Sequence, residues 1–159
     1  MKAWPDRRIL DLFGIELPII LAPMAGPGTA ALAIAVSDAG GLGSLPCAQL
    51  GGGEIRTALE TIRRATSRPT NLNFFCHTPP IRDPKRELTW QALLKPYYLE
   101  LGLDPDTPPA PPSRKPFDAE SCAIVEEFKA QIVSFHFGLP AKQLLDRVKE
   151  TRGHRPTTC

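Results

Sequence analysis

Residues 17–26 read LPIILAPMAG and contain the stretch that decides the fold. A continuous apolar run of strand length, PIILAP at 18–23, suits a strand buried on both faces, as in a parallel sheet. The run stops at a proline and is followed by small residues. Small residues after a strand let the backbone approach a flat ligand closely, and glycine tolerates the dihedral angles this requires. We therefore predict a buried strand whose carboxyl end faces a ligand.

The alternation of strand and helix recurs three more times along the chain. Further strands are predicted at LGSLP (42–46), TNLNFFCH (70–77) and QIVSFHFG (131–138). Helices are predicted within 28–41, 51–69, 117–130 and 139–153. Asp118 is the expected N-cap of the third of these, and a short helix or turn ending at Gly14 precedes the first strand. Four such units argue for an α/β fold with a parallel sheet, in which ligands bind at the carboxyl ends of the strands.

Residues 78–116 break this alternation and are interpreted as a long insertion after the third strand. Their centre, RELTWQALLKPYYLEL, has helical spacing that is interrupted by Pro96, and residues 104–116 form an extended, proline-rich link. Long insertions on the ligand face often act as lids. A solvated excursion with no role in binding is an equally weighted alternative.

Composition narrows the class of protein. The 159 residues fit one domain, carry a formal net charge of +2 and are 42% hydrophobic. The basic residues are scattered, which argues against nucleic acid as a partner, and no stretch approaches the roughly 18–20 apolar residues of a membrane span. The amino terminus does not have the pattern of a secretion signal, so a cytoplasmic protein with reduced thiols is expected. Without a C-x-x-C pair no metal site is predicted, and Cys47, Cys76 and Cys122 are interpreted as small buried hydrophobes.

Four stretches, taken in order, carry a resemblance to a known family. They are LPIILAPMAG, AVSDAGGLGSL, IRRATSRPTNLNFFCHTPP and IVSFHFGLP, within a region of roughly residues 9–150. With them the chain resembles the nitronate monooxygenases, formerly called 2-nitropropane dioxygenases, and specifically their class I branch. NFFCH together with SFHFGLP makes the match specific, because APM and GGLG alone occur in many FMN-dependent barrels.

The resemblance implies a TIM-type (β/α)8 barrel that binds FMN at the strand ends. Residues 1–150 would form the first half of this barrel with 78–116 inserted, and residues 151–159 an irregular tail. Members of the family oxidise alkyl nitronates with dioxygen. The flavin supplies the redox chemistry, while the protein supplies orientation and electrostatics.

The resemblance also implies which residues hold the cofactor. The APM backbone of the family lies against the flavin ring, a role that maps onto Ala22, Pro23, Met24 and Ala25. The asparagine of the third-strand motif contacts the flavin in the family, and here it is Asn73, whose amide offers both a donor and an acceptor. The structural alternatives are a strand end packed for stability and an amide that satisfies a loop backbone.

Two histidines stand at or just past strand ends, His77 and His136. If Phe135 and Phe137 point outward into helices, the imidazole of His136 points to the barrel axis, because side chains alternate along a strand. We therefore prefer His136 as a substrate-side group. A structural role is the more common one for a lone histidine in such a place.

The chain is shorter than the fold that it resembles. A closed barrel of this kind needs about 200–250 residues, whereas this sequence ends ETRGHRPTTC without an EAGGH-like segment for the family's catalytic base. We interpret the chain as an amino-terminal fragment with weak or lost activity, marginal stability, weak FMN retention and self-association through unpaired barrel edges. Two other functions stay open: an FMN-dependent NADH:quinone or enoyl reductase-like barrel, and a non-catalytic barrel remnant.

Overall fold

The computed structural model describes residues 4–81, 83–107 and 114–151, which fall into two compact units. The larger unit runs to His77 and resumes at Arg114, and the smaller unit is Thr78–Ser113. In chain order the elements are α1 (Arg8–Phe13), α2 (Ala30–Asp38), β1 (Gly43–Pro46), α3 (Gly52–Ala65), β2 (Thr70–Phe75), α4 (Pro84–Glu100), α5 (Ala119–Glu127), β3 (Ile132–His136) and α6 (Lys142–Thr151). No helix in these ranges is both long enough and apolar enough to cross a membrane.

The sheet of the larger unit is parallel and has the strand order β1-β2-β3. Leu45 pairs with Leu72, and Leu72 pairs with Val133, so the three strands run side by side without an offset. Helix α3 lies between β1 and β2, and helices α4 and α5 lie between β2 and β3, as crossovers between parallel strands require. The predicted α/β class is therefore confirmed.

The first predicted strand, residues 18–23, is only partly formed. It makes a single parallel bridge, in which Leu42 donates from its N–H to the carbonyl of Ile19 (2.9 Å) and Leu21 donates to the carbonyl of Leu42 (2.9 Å). Its place beside β1 is as expected, but Ile19 and Ile20 are 55% and 47% exposed. The prediction that this run is buried on both faces is wrong, because these two neighbouring side chains point to opposite faces and the described elements leave about half of each uncovered.

The two faces of the sheet have different neighbours. On one face Leu45, Leu72 and Phe74 join the main core with residues of α3, α5 and α6, such as Ile55 and Val125. On the other face, which we call the inner face, Leu42 and Ile132 form a smaller cluster with Leu10 and Ile15. The same inner face carries the polar side chains Ser44, Asn71, Asn73 and Ser134 further along the strands.

Local capping explains where several helices begin and end. The side chain of Asp118 accepts a hydrogen bond from the backbone N–H of Ser121 (2.9 Å), which confirms the predicted N-cap of α5. Thr29 caps α2 in the same way, by accepting from the N–H of Leu32 (3.2 Å). Gly14 has a left-handed φ of 69° and donates to the carbonyl of Leu10, so the predicted glycine end of α1 is also confirmed.

The smaller unit contains one helix, α4, among its described residues. Asp83 caps α4 by accepting from the N–H of Arg86 (3.1 Å), and Pro84 occupies the first turn, where its missing N–H costs no hydrogen bond. The sequence suggested an interruption at Pro96, but the helix continues through it to Glu100. Only one intrahelical bond is lost at Pro96, and the helical pattern resumes after it. Residues 108–113 of the predicted proline-rich link and residues 152–159 of the predicted tail lie outside the described residues.

Lys129 adopts a conformation that favours glycine, and its replacement is expected to stabilise the larger unit. It follows the C-cap of α5 and has a φ of 46°. Its N–H donates to the carbonyl of Glu126, and the N–H of Ala130 donates to the carbonyl of Val125, which are the two hydrogen bonds of a Schellman motif. A residue with a Cβ in the left-handed backbone region lowers the stability of the fold by about 1 kcal/mol. Lys129→Gly should therefore raise the free energy of unfolding in urea by about 0.5–1 kcal/mol. Lys129→Ala keeps the Cβ and serves as the control; an equal gain in that variant would contradict the backbone explanation.

Candidate functional site at the carboxyl edge of the sheet

The turn that follows the first strand segment lies against the end of β1. Within this turn Gly28 donates from its N–H to the carbonyl of Met24 (2.8 Å). A Cβ added to Gly28 would lie 2.6 Å from the same carbonyl oxygen and 2.7 Å from Cγ of Pro46, the last residue of β1. The turn is therefore packed so closely onto the sheet edge that a side chain at position 28 does not fit.

The residues predicted to contact a flat ligand form this turn. Ala22 and Met24 are exposed, and Pro23 and Ala25 are half-buried. Met24 donates from its N–H to the carbonyl of Ala22 (2.9 Å), which holds the segment in a tight bend. The surface that it presents consists of backbone, small side chains and one flexible thioether.

Asn73 stands one strand further along the same edge. It is paired in register with Pro46 on one side and with Ser134 on the other, and it is 4% exposed. Its Nδ2 donates to Oγ of Ser134 (2.9 Å), and its backbone carbonyl accepts from the N–H of Cys47 (2.9 Å). The amide is thus held in one orientation at the carboxyl end of the inner face.

A second asparagine lies below it on the inner face. Nδ2 of Asn71 donates to Oγ of Ser44 (3.1 Å), while Oδ1 of Asn71 is buried without a hydrogen-bond partner among the described residues. A buried unpaired acceptor is uncommon and costs about 1–3 kcal/mol. The inner face is therefore polar and carries an acceptor without a hydrogen-bond partner among the described residues. It differs in this from the apolar layers that usually fill the interior of a barrel.

His136 ends β3 and is paired in register with Phe75. Its imidazole is exposed, and its centroid lies 6.0 Å from the ring of Phe75 and 4.6 Å from the ring of Phe137. His77 lies on the loop after β2, with its centroid 6.3 Å from the same Phe75 ring. Both histidines therefore belong to one aromatic cluster at the carboxyl edge of the sheet.

The predicted outward orientation of the two flanking phenylalanines is correct for Phe135 alone. Phe135 packs against the main core and lies edge-on to Phe117, at 5.1 Å between ring centroids. Phe137 instead has a left-handed φ of 64° and lies edge-on to Phe75, at 4.9 Å. The strand ends at His136, so the alternation of side chains on which the prediction depended stops before Phe137.

These contacts bring the predicted residues together along one edge. The 22–28 turn packs against Pro46 at the end of β1, and Pro46 is paired with Asn73 of β2. Two residues further along β2, Phe75 is paired with His136 of β3. Sequence reasoning missed Phe75, Ser134 and the contact role of Gly28. The alternation that places Asn73 and Ser134 on the same face could have identified Ser134, whereas the conformation of Phe137 has no local signal.

The cysteines near this edge are not poised as nucleophiles. Burial raises the pKa of the Cys47 thiol to about 12, and desolvation also raises the pKa of Cys76. Cys47 and Cys122 are buried as expected, but Cys76 is only half-buried. The residues that the structure describes contain no group of three or more side chains able to hold a metal ion.

A cavity of about 310 Å³ lies at the opposite end of the strands. Its lining includes the residues just before β2, such as Arg68, and those just before β3, such as Lys129. The C-termini of α3 and α5 also meet there, and Arg63 adds a third basic side chain to the lining. This cavity is not part of the carboxyl-edge site.

Known proteins of one family are similar to this chain over most of its length. The family model described as nitronate monooxygenase matches residues 6–156 of this chain. The chain belongs to the nitronate monooxygenase family. Among curated nitronate monooxygenases it is 42% identical over 148 residues to that of Paraburkholderia phytofirmans, a match that covers 91% of this chain and 40% of the relative. It is 38% identical over 158 residues to that of Pseudomonas aeruginosa, covering 96% of this chain and 43% of the relative.

Solved structures support the same placement. Nitroalkane oxidase from Streptomyces ansochromogenes has a TM-score of 0.71 and 27% identity, covering 91% of this chain and 40% of that chain. FabK from Thermotoga maritima has a TM-score of 0.61 and 25% identity, covering 91% of this chain and 34% of that chain. These are TIM-barrel enzymes, so the predicted fold, the first half of a (β/α)8 barrel, is confirmed. The chain spans about two fifths of the length of the curated relatives that it matches, and the family is one of flavin-dependent oxidoreductases.

Proposed function

We propose that the carboxyl edge of this sheet binds FMN and belongs to an enzyme that oxidises alkyl nitronates with dioxygen. Membership of the nitronate monooxygenase family supports the reaction class. The observation that carries the location is the close packing of the 22–28 turn onto the end of β1, next to the strand that bears Asn73. A flat ring needs a surface of backbone and small side chains with a fixed polar group at its rim, and this edge offers both.

The residues at this edge fit a flavin. Ala22, Pro23, Met24 and Ala25 would lie under the isoalloxazine ring, and the amide of Asn73 would face its polar edge. FMN, when bound, supplies the redox chemistry. The contribution of this chain is to orient the ring and to keep its buried face away from water.

His136 is proposed as a substrate-side group. Its imidazole is exposed, which allows a ring nitrogen to donate a hydrogen bond to an anionic substrate or to take a proton from a neutral nitroalkane. Contacts with Phe75 and Phe137 restrict the orientation of the ring. An exposed histidine beside aromatic rings at a strand end is suited to this role.

We also propose that this chain alone has weak or no nitronate oxidase activity and retains FMN weakly. It spans about two fifths of the length of its relatives, and its sequence contains no EAGGH-like segment. Within residues 4–81, 83–107 and 114–151 no strand pairs with the outer edge of Ile19–Leu21 or of β3, which supports the proposal that the chain associates with itself. We also propose a cytoplasmic location, because Cys47, Cys76 and Cys122 are free thiols and the cytoplasm keeps thiols reduced.

The activity proposal is tested by assaying the purified chain with added FMN. Nitrite release from a propyl nitronate under air should be far below that of the Pseudomonas aeruginosa relative assayed in parallel. Turnover equal to that of the relative would contradict the proposal.

A second candidate is another FMN-barrel reductase, which the likeness to FabK keeps in consideration. NADH oxidation in the presence of a quinone, at a higher rate than nitronate oxidation, would favour it. A chain with neither activity and no flavin affinity would instead be a non-catalytic remnant.

A further inference from the structure

The helix of the smaller unit carries an exposed apolar stripe. Trp90, Leu93 and Tyr97 of α4 and its C-cap Leu101 follow one another at intervals of three or four residues and are 62%, 60%, 62% and 73% exposed. Such spacing places side chains on one side of a helix. No residue of α4 is buried. A stripe of four large side chains that all face water is typical of an interaction surface.

The polar residues next to the stripe are arranged symmetrically about Leu93. Arg86 precedes Leu93 by seven residues and Glu100 follows it by seven. At about 100° per residue these two side chains are about 40° apart around the axis, so both lie along the same border of the stripe. Neither makes an ion pair within the parts of the chain that the structure describes.

This symmetry has a consequence for pairing with an identical helix. When two copies of α4 pack antiparallel about a two-fold axis at Leu93, Arg86 of one copy lies at the height of the partner's Glu100. The same rotation brings Trp90 within one residue of the height of the partner's Tyr97 and places the two Leu93 side chains together. Charge and apolar contacts are thus satisfied by one arrangement, in which each contact occurs twice except the one between the two Leu93 side chains on the axis.

We propose that α4 is a docking surface for a second copy of this chain, with the two helices antiparallel and Arg86 paired with the partner's Glu100. The proposal does not depend on the catalytic function, and it concerns a surface other than the sheet edges. Two helices of 17 residues bury less than the roughly 1,200 Å² of a stable complex. The dimer is therefore weak, and its population rises with protein concentration.

Charge reversal tests the proposed register. Sedimentation velocity over a range of concentrations should show wild type shifting towards twice the 17.4 kDa mass of one chain. Arg86→Glu and Glu100→Arg should each weaken the dimer about tenfold, because each places like charges opposite one another. The double variant Arg86→Glu/Glu100→Arg should restore wild-type association. Both changes place charges where the helix dipole favours them, so α4 itself is not weakened.

Matched apolar variants separate this surface from the others. Leu93→Glu should abolish the α4 dimer, whereas Leu88→Glu should not, since Leu88 is similarly exposed (66%) but lies on the far side of α4. Ile20→Lys places a charge on the free edge of the first strand segment and should leave this dimer unchanged. A monomer at every concentration, a dimer that only Ile20→Lys disrupts, or a double charge reversal that does not restore association would each overturn the proposal.

Discussion

Gly43→Ala is expected to prevent the larger unit from folding. A Cβ at this position in β1 would lie 2.0 Å from the carbonyl oxygen of Ala33 and 2.6 Å from Oγ of Ser37. Both Ala33 and Ser37 belong to α2 and are fully buried. The shortest overlap is with the backbone of Ala33, so no rotation of a side chain can relieve it.

Helix α2 cannot easily move away from the added methyl group. Oγ of Ser37 accepts from the N–H of Gly43 (3.1 Å) and donates to the carbonyl of Pro69 (2.9 Å). Displacing the helix would break both hydrogen bonds in a buried place, at a cost of about 1–3 kcal/mol for each group left unpaired. Together with the overlap this exceeds about 4 kcal/mol, a large part of the stability of an ordinary domain.

The measurement is urea unfolding followed by circular dichroism. Wild type should unfold in a cooperative transition, and Gly43→Ala should show none. The control is Gly53→Ala in α3, where the added Cβ meets nothing within 4 Å. That variant should be as stable as wild type or gain up to about 1 kcal/mol. A Gly43→Ala protein with the midpoint of wild type would disprove the close contact between α2 and β1.

Asn73→Ala is expected to weaken FMN binding about tenfold. In the proposed site this amide is the fixed polar group facing the flavin edge, and a hydrogen bond of this kind is worth about 1.4 kcal/mol, equal to a factor of ten in affinity. Quenching of flavin fluorescence on titration with protein measures the affinity directly. Binding should be measured at a temperature at which both proteins are fully folded, since the variant also loses the bond to Ser134.

Ser134→Ala separates the two roles of Asn73. It removes the same intramolecular hydrogen bond but keeps the amide that would face the flavin. If Asn73 contacts FMN, Ser134→Ala should change the affinity less than about threefold. Equal losses in the two variants would mean that Asn73 acts only by supporting the structure of the sheet edge.

The order of elements was predictable because it depends on local patterns. Hydrophobic periodicity located the helices, and Gly14 and Asp118 marked helix ends by chemistry that is contained in a few residues. The convergence of the turn at Met24 with Asn73 followed from a general rule of parallel sheets, that strand ends meet at one edge.

The remaining features depend on neighbours that a local pattern does not contain. The apolar run at 18–23 has the composition of an interior strand, but its exposure is decided by what packs on its two faces. Phe137 packs against Phe75 because β3 ends one residue earlier, at His136. No residue type near this position predicts that the strand ends there. The left-handed Lys129 likewise stands where glycine would be expected.

The central claim is that the carboxyl edge of the sheet is the surface beneath FMN, and hydrogen–deuterium exchange with and without FMN tests it most directly. Bound FMN should slow exchange of the backbone amides in residues 22–28 and 73–77, and leave those of residues 128–131 at the opposite end of the strands unchanged. Protection confined to another part of the chain, or no protection at an FMN concentration that saturates the fluorescence titration, would contradict the account.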